Sequence, residues 1–96
     1  MLQVSATHDH RASMQGELDL LAVPSLEAVL DQLASDYAEV DLSGVTFFDS
    51  SALRVFLAAR RRHHKLRIVN PSKAVLRILE ITDTVDYLVH GREIAW

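Results

Sequence analysis

The sequence lacks cysteine altogether, so disulfide bonds, thiolate chemistry and cysteine ligands for zinc are all excluded. It also lacks long apolar runs, since none approaches the roughly 20 residues that a membrane-spanning helix needs. Residues 1–4 show neither the basic segment nor the apolar stretch of a secretory signal. We therefore expect a cytoplasmic protein without membrane insertion.

Repeats, low-complexity segments and linkers are absent too, and 96 residues fit a single domain over 1–96. Hydrophobic residues make up 49% of the chain, enough to build a core. A domain this small buries only about 65% of its unfolded surface, which favours function on the surface over a deep active site.

Positive charge is in deficit, with 10 Lys and Arg against 13 Asp and Glu. Nucleic-acid binders usually show the opposite balance, so we expect no nucleic-acid partner. The one basic cluster, residues 60–65, follows a predicted helix and complements its negative end. We interpret it as a solvated helix terminus, with contact to an acidic partner as the second interpretation.

Hydrophobic periodicity predicts an α/β domain with the order strand, strand, helix, strand, helix, strand, helix, helix. The order implies at least one crossover and a mixed sheet. The predicted strands are 2–6, 12–16, 39–42 with a second apolar burst at 45–48, and 66–69. The predicted helices begin at Pro24, at Ala52 and after a Ser72 cap, with one more helical turn or two within 83–88.

The segment Asp49-Ser50-Ser51 lies where a strand passes into a helix. Asp and Ser side chains accept hydrogen bonds from the free backbone N–H groups of a helix start, so capping is one interpretation. The other is phosphorylation, because the same N–H groups and the helix dipole stabilise a phosphate. We expect an apolar rim formed by Phe47, Phe48 and Leu53.

The run Asp-Leu-Ser-Gly-Val-Thr-Phe-Phe-Asp-Ser-Ser-Ala-Leu at 41–53 resembles the motif of STAS domains, specifically bacterial anti-sigma factor antagonists. Gly-Glu-Leu-Asp at 16–19, Leu-Arg-Ile-Val-Asn-Pro-Ser at 66–72 and Val-Leu-Arg-Ile-Leu-Glu-Ile-Thr at 75–82 are similar to further segments of that family, in the same order. The resemblance implies the STAS fold: one mixed sheet of four to five strands, with helices packed mainly on one face.

The resemblance also implies a function. Such proteins are not enzymes and need no cofactor or metal; unphosphorylated, they bind an anti-sigma factor that is also a serine kinase. The kinase phosphorylates the serine after the aspartate, here Ser50 with Ser51 as second choice, and a PP2C-type phosphatase reverses this. Partner-binding residues implied in this way are Asp19, Phe48, Asp49, Ser50, Ser51 and Leu53. Ala52 replaces the family's usual glycine, which predicts a stiffer helix start and a slightly hindered approach of the kinase.

Two alternatives from other classes remain open. One is a constitutive STAS subunit of a larger complex, such as a lipid-transport ATPase or a stress-signalling scaffold. The other is a sensor that binds a nucleotide or small anion at Ser50, where the strand passes into the helix. Enzyme chemistry has less support. The five histidines show no ligand spacing for a metal, and His63 lies about 20 Å from Ser50 along the predicted helix. Trp96 either packs on the sheet or forms an exposed contact.

Overall fold

The computed structural model describes residues 2–8, 10–33, 38–63 and 65–92. Four strands form one sheet in the order β1-β2-β3-β4. The strands are β1 (Gln3–His8), β2 (Arg11–Leu18), β3 (Ala38–Phe48) and β4 (Leu66–Val69). β1 and β2 are antiparallel, and β2, β3 and β4 are parallel to one another. The predicted mixed sheet is confirmed.

The helices occupy the predicted places. They are α1 (Val23–Gln32), α2 (Ser50–Arg62), α3 (Lys73–Ile81) and α4 (Val85–Leu88), and a short 3₁₀ helix, Leu20–Ala22, precedes α1. Pro24 lies in the first turn of α1, where its missing N–H costs nothing. Ser72 caps α3 by accepting a hydrogen bond from the backbone N–H of Val75 at 3.3 Å, as predicted.

The prediction of two separate apolar segments in the middle of the chain is wrong, because β3 is one continuous strand of 11 residues. Ser43 and Gly44 form no turn; the pairing of β2 with β3 instead shifts register opposite them. Gly44 passes so close to β2 that a Cβ there would lie 2.5 Å from Cγ of Gln15. Gly44 therefore marks a close approach of two strands.

One face of the sheet carries the core. Along β3 the buried side chains are Ala38, Val40, Leu42, Val45 and Phe48. Phe48 packs against Phe56 of α2 with ring centroids 6.0 Å apart, which joins the end of the central strand to the helix that follows it. The site at the start of α2 is thus anchored to the core from both sides.

The basic cluster is not uniformly solvated. Arg61 and Arg62 are exposed as predicted, and Arg62 forms an ion pair of 3.2 Å with Asp31. Arg60, however, is only 1% exposed, and its guanidinium lies 4.7 Å from the ring centroid of Tyr87. Arg60 lies on the same helical line as Leu53 and Phe56, and Tyr87 of α4 packs against its guanidinium, so the prediction of a solvated terminus is wrong for this residue.

Candidate functional site

Two aspartates lie side by side at the carboxyl ends of neighbouring parallel strands. Leu18, the last residue of β2, pairs with Phe48, the last residue of β3, and Asp19 and Asp49 are the residues that follow. Asp19 accepts a hydrogen bond from the backbone N–H of Ala22 at 3.1 Å, and so caps the 3₁₀ helix. Since parallel strands end together, both caps face the same edge of the sheet.

Asp49 caps α2 by the same means. Its Oδ1 accepts hydrogen bonds from the backbone N–H groups of Ser51 at 2.9 Å and Ala52 at 3.2 Å. The backbone N–H of Leu53 donates to the Asp49 carbonyl at 3.1 Å, which closes the first turn of the helix. The capping interpretation of Asp49 is confirmed, and three amides of the helix start are already occupied.

Ser50 is the first residue of α2 and is exposed. Its hydroxyl makes no hydrogen bond with any of the residues that the structure describes. Ser51 is partly buried, and its backbone N–H binds Asp49. Of the two serines, Ser50 offers the hydroxyl with open access from solvent.

The expected apolar rim is wrong in two of its three members. Phe48 is 4% exposed and Leu53 is 6% exposed, because both side chains point into the core from the end of β3 and the start of α2. Neither presents a surface to a partner. Only Phe47, which alternates to the other side of the strand, is exposed at 46%.

Sequence reasoning missed two side chains beside the serines. Leu20 is 68% exposed, and Arg54 is exposed on the second turn of α2. Both line a shallow cavity of about 300 Å³ between α1 and α2, together with Ser51. The signal for Leu20 was present: two consecutive leucines follow Asp19 before the helical periodicity begins.

Ala52 does not obstruct this surface. Its side chain is fully buried, so the methyl group that replaces hydrogen points into the core. The Ala52 methyl group therefore forms no direct steric obstacle beside Ser50; a stiffer helix start stays a prediction.

The wider structure adds two observations. No three His, Cys, Asp or Glu side chains of the described ranges cluster in a way that could hold a metal ion. Nor does any helix within those ranges have the length and apolar character to cross a membrane. His64 of the basic cluster and Trp96 lie outside the described residues.

Comparison with known proteins assigns the chain to a family. A family model described as "Mlab, STAS domain" matches residues 2–90. An anti-sigma-B factor antagonist of Staphylococcus epidermidis is 33% identical over 96 aligned residues, which cover 91% of this chain and 88% of that protein. Its counterpart in Staphylococcus aureus strain NCTC 8325 is 33% identical over 91 residues, with 88% and 83% covered.

Solved structures agree on the fold. A crystal structure of an anti-sigma factor antagonist from Mycobacterium paratuberculosis superposes with a TM-score of 0.78 at 23% identity, over 92% of this chain and 83% of that one. The anti-sigma factor antagonist SpoIIAA in its unphosphorylated form superposes with a TM-score of 0.71 at 20% identity, over 93% and 86%. At these identities the likeness shows a shared architecture.

Proposed function

The chain belongs to the STAS domain family, and we propose that it is an anti-sigma factor antagonist controlled by phosphorylation of Ser50. Unphosphorylated, it binds an anti-sigma factor with serine kinase activity in the cytoplasm. Phosphorylation of Ser50 ends this binding, and a PP2C-type phosphatase restores it. The anti-sigma-B factor antagonists that match most of the chain support the first part of the proposal.

The observation that carries the second part is the environment of Ser50. Its hydroxyl is exposed at the start of α2, on a helix that Asp49 caps and that Phe48 and Phe56 anchor to the core. A kinase reaches such a hydroxyl without unfolding the domain. A rigid frame also means that the added charge stays at the docking surface.

The docking surface that we propose surrounds this hydroxyl. It consists of Asp19, Asp49, Ser50 and Ser51 with the exposed Leu20 and Arg54. An exposed leucine flanked by charged and hydroxyl groups suits a partner with a small apolar pocket and a polar rim, the usual anatomy of a protein interface. Phe48 and Leu53 contribute by supporting the surface from below.

Phosphorylation acts on this surface through charge. A phosphoserine carries about −1.5 to −2 charges at pH 7, and here it stands next to the Asp49 carboxylate. A partner surface that fits the neutral hydroxyl loses that contact and must in addition desolvate a dianion. Like-charge or unpaired-charge juxtaposition at an interface costs several kcal/mol, which is enough to release the partner.

Phosphosite mapping tests the proposal. The protein is incubated with ATP and the serine kinase that copurifies with it, and the product is analysed by mass spectrometry. We expect one phosphate, on Ser50; Ser50→Ala abolishes it and the matched variant Ser51→Ala retains it. Phosphate confined to any residue other than Ser50, including Ser51 alone, overturns the proposal.

A second candidate is a constitutive subunit of a larger assembly, such as a lipid-transport ATPase complex. The observation in its favour is the family model, whose description names Mlab rather than an anti-sigma factor antagonist. In that case the surface around Ser50 docks without being modified. Affinity purification separates the two: recovery of an ATPase complex supports this candidate, and recovery of a serine kinase with an associated sigma factor supports the first.

A further inference from the structure

Arg54 is an exposed cation one helical turn after Ser50. Positions four residues apart lie on the same face of a helix, and helical side chains lean toward the N-terminus, over the preceding turn. A side chain at position 54 is therefore within reach of the helix start at Ser50, and Arg54 lines the same cavity as Ser51 and Leu20.

Fold stability does not account for this arginine. Arg54 forms no ion pair or hydrogen bond with any residue in the described ranges, in contrast to Arg62 of the same helix, which pairs with Asp31 at 3.2 Å. A cation near a helix N-terminus is also unfavourable, because that end of the helix dipole is positive. Glu27 lines the same cavity but makes no ion pair with Arg54.

The backbone at the helix start offers little to a phosphate. The Asp49 carboxylate already accepts hydrogen bonds from the backbone N–H groups of Ser51 and Ala52. The backbone N–H of Leu53 donates to the Asp49 carbonyl. A phosphate on Ser50 would have to displace the Asp49 carboxylate to reach the first two. A dianion beside an aspartate thus needs a countercharge from a side chain.

We propose that Arg54 provides this countercharge, by folding over phosphoserine 50 and holding the phosphate against α2. The inference rests on the proposed function, in that Ser50 is the modified residue. Guanidinium and phosphate form charge-assisted, frequently bidentate hydrogen bonds. The Asp49 cap stays in place, so the helix start keeps its structure when the charge is added.

Phosphorus NMR tests the proposal on protein with phosphoserine placed at position 50 by genetic encoding. Placing it this way keeps the test independent of any kinase. In Arg54→Gln the second pKa of the phosphate rises by about 0.3, the size of an exposed pair four residues apart. Arg54→Lys, which keeps the charge without the bidentate geometry, gives a smaller rise.

Arg61→Gln is the matched control, since it removes the same charge about 16 Å from Ser50 along the helix axis. It should leave the phosphate pKa unchanged. An equal pKa in wild type and Arg54→Gln overturns the proposal, and so does a large downfield shift of the Ser51 and Ala52 amide protons on phosphorylation, because the phosphate would then have replaced Asp49.

The two proposals fail separately. If no kinase phosphorylates Ser50 but the phosphate pKa of the encoded phosphoserine rises in Arg54→Gln, the regulatory function fails. The proposed contact between Arg54 and the phosphate is then supported. If the kinase modifies Ser50 but the phosphate pKa is the same in wild type and in Arg54→Gln, the proposed contact with Arg54 fails. The regulatory function is then supported.

Discussion

The Asp49 carboxylate accepts a hydrogen bond from the backbone N–H of Ser51 at 2.9 Å. This bond holds the start of α2 in one conformation. The intervening Ser50 is left with an exposed side chain. Asp49 therefore has a structural role that is separable from any contact with a partner.

Replacement of Asp49 should measure that structural role. Asp49→Ala removes a cap and lowers the free energy of unfolding by about 1 kcal/mol; Asp49→Asn, which keeps an acceptor, lowers it by less. Ser50→Ala, which removes no cap, should change stability by under about 0.5 kcal/mol. Urea denaturation followed by circular dichroism gives all three values. Equal stability of Asp49→Ala and Ser50→Ala would show that the cap contributes nothing.

Leu20 should contribute to binding and not to folding. Its side chain is 68% exposed, so Leu20→Ala leaves the free energy of unfolding nearly unchanged. If it enters a pocket of the anti-sigma factor, the substitution weakens binding about tenfold, which corresponds to a loss above 1 kcal/mol. Isothermal titration calorimetry measures the effect. The control is Ile81→Ala, which truncates an equally exposed side chain at the end of α3; equal losses in both variants count against a docking surface at Leu20.

Asp41 should make stability sensitive to acid. Partial burial raises its pKa, but hydrogen bonds from Asn70, from the Ser43 backbone and hydroxyl, and the charge of Arg11 together lower the pKa below its ordinary value of 3.8. The folded pKa lies below the unfolded one, so the contribution is complete above about pH 4. It is lost as the pH falls through the folded pKa.

The matched variant is Asp41→Asn, which cannot titrate. Its stability at pH 7 should be lower than that of wild type, and its stability should decline less between pH 4 and pH 2. Thermal unfolding at a series of pH values measures both slopes. Parallel curves for the two proteins would mean that Asp41 titrates alike in the folded and unfolded states.

Arg60 should behave as a core residue. Its guanidinium lies over Tyr87 and its Nη2 donates to the Gly91 carbonyl at 3.4 Å. Arg60→Ala removes the packing of a long buried stem and the cation–π contact, and should cost about 2 kcal/mol or more. Arg61→Ala, on the adjacent exposed position, should cost under about 0.5 kcal/mol. Similar losses in the two variants would contradict the burial of Arg60.

The contrast between Arg60 and Arg61 shows that the burial of a charged side chain could not be predicted from the local sequence. Periodicity predicted the helix α2, and the run of charged residues at 60–65 predicted a solvent-exposed end. The tertiary structure buries Arg60, because α4 places Tyr87 over its guanidinium. No local pattern in residues 60–65 indicates a contact with a residue so distant in sequence.

The interruption predicted within β3 and the expected apolar rim were also wrong because tertiary contacts outweigh the local pattern. Ser43 and Gly44 separate the two predicted apolar segments, but pairing with β2 keeps β3 extended through both. Phe48 and Leu53 were expected at the surface because they flank the exposed Ser50. In the structure the alternation of β3 and the helical period of α2 turn both side chains inward. The order of elements and the Asp49 cap were predictable because they depend on local chemistry alone.

Binding of the anti-sigma factor to the protein with serine and with phosphoserine at position 50 tests the central claim most directly. Calorimetry on both forms, with Ser50→Ala as the control that cannot be modified, compares the dissociation constants. We predict that wild type and Ser50→Ala bind alike, and that the phosphorylated form binds at least about a hundredfold more weakly. Equal affinity of the phosphorylated and unphosphorylated forms would contradict the account.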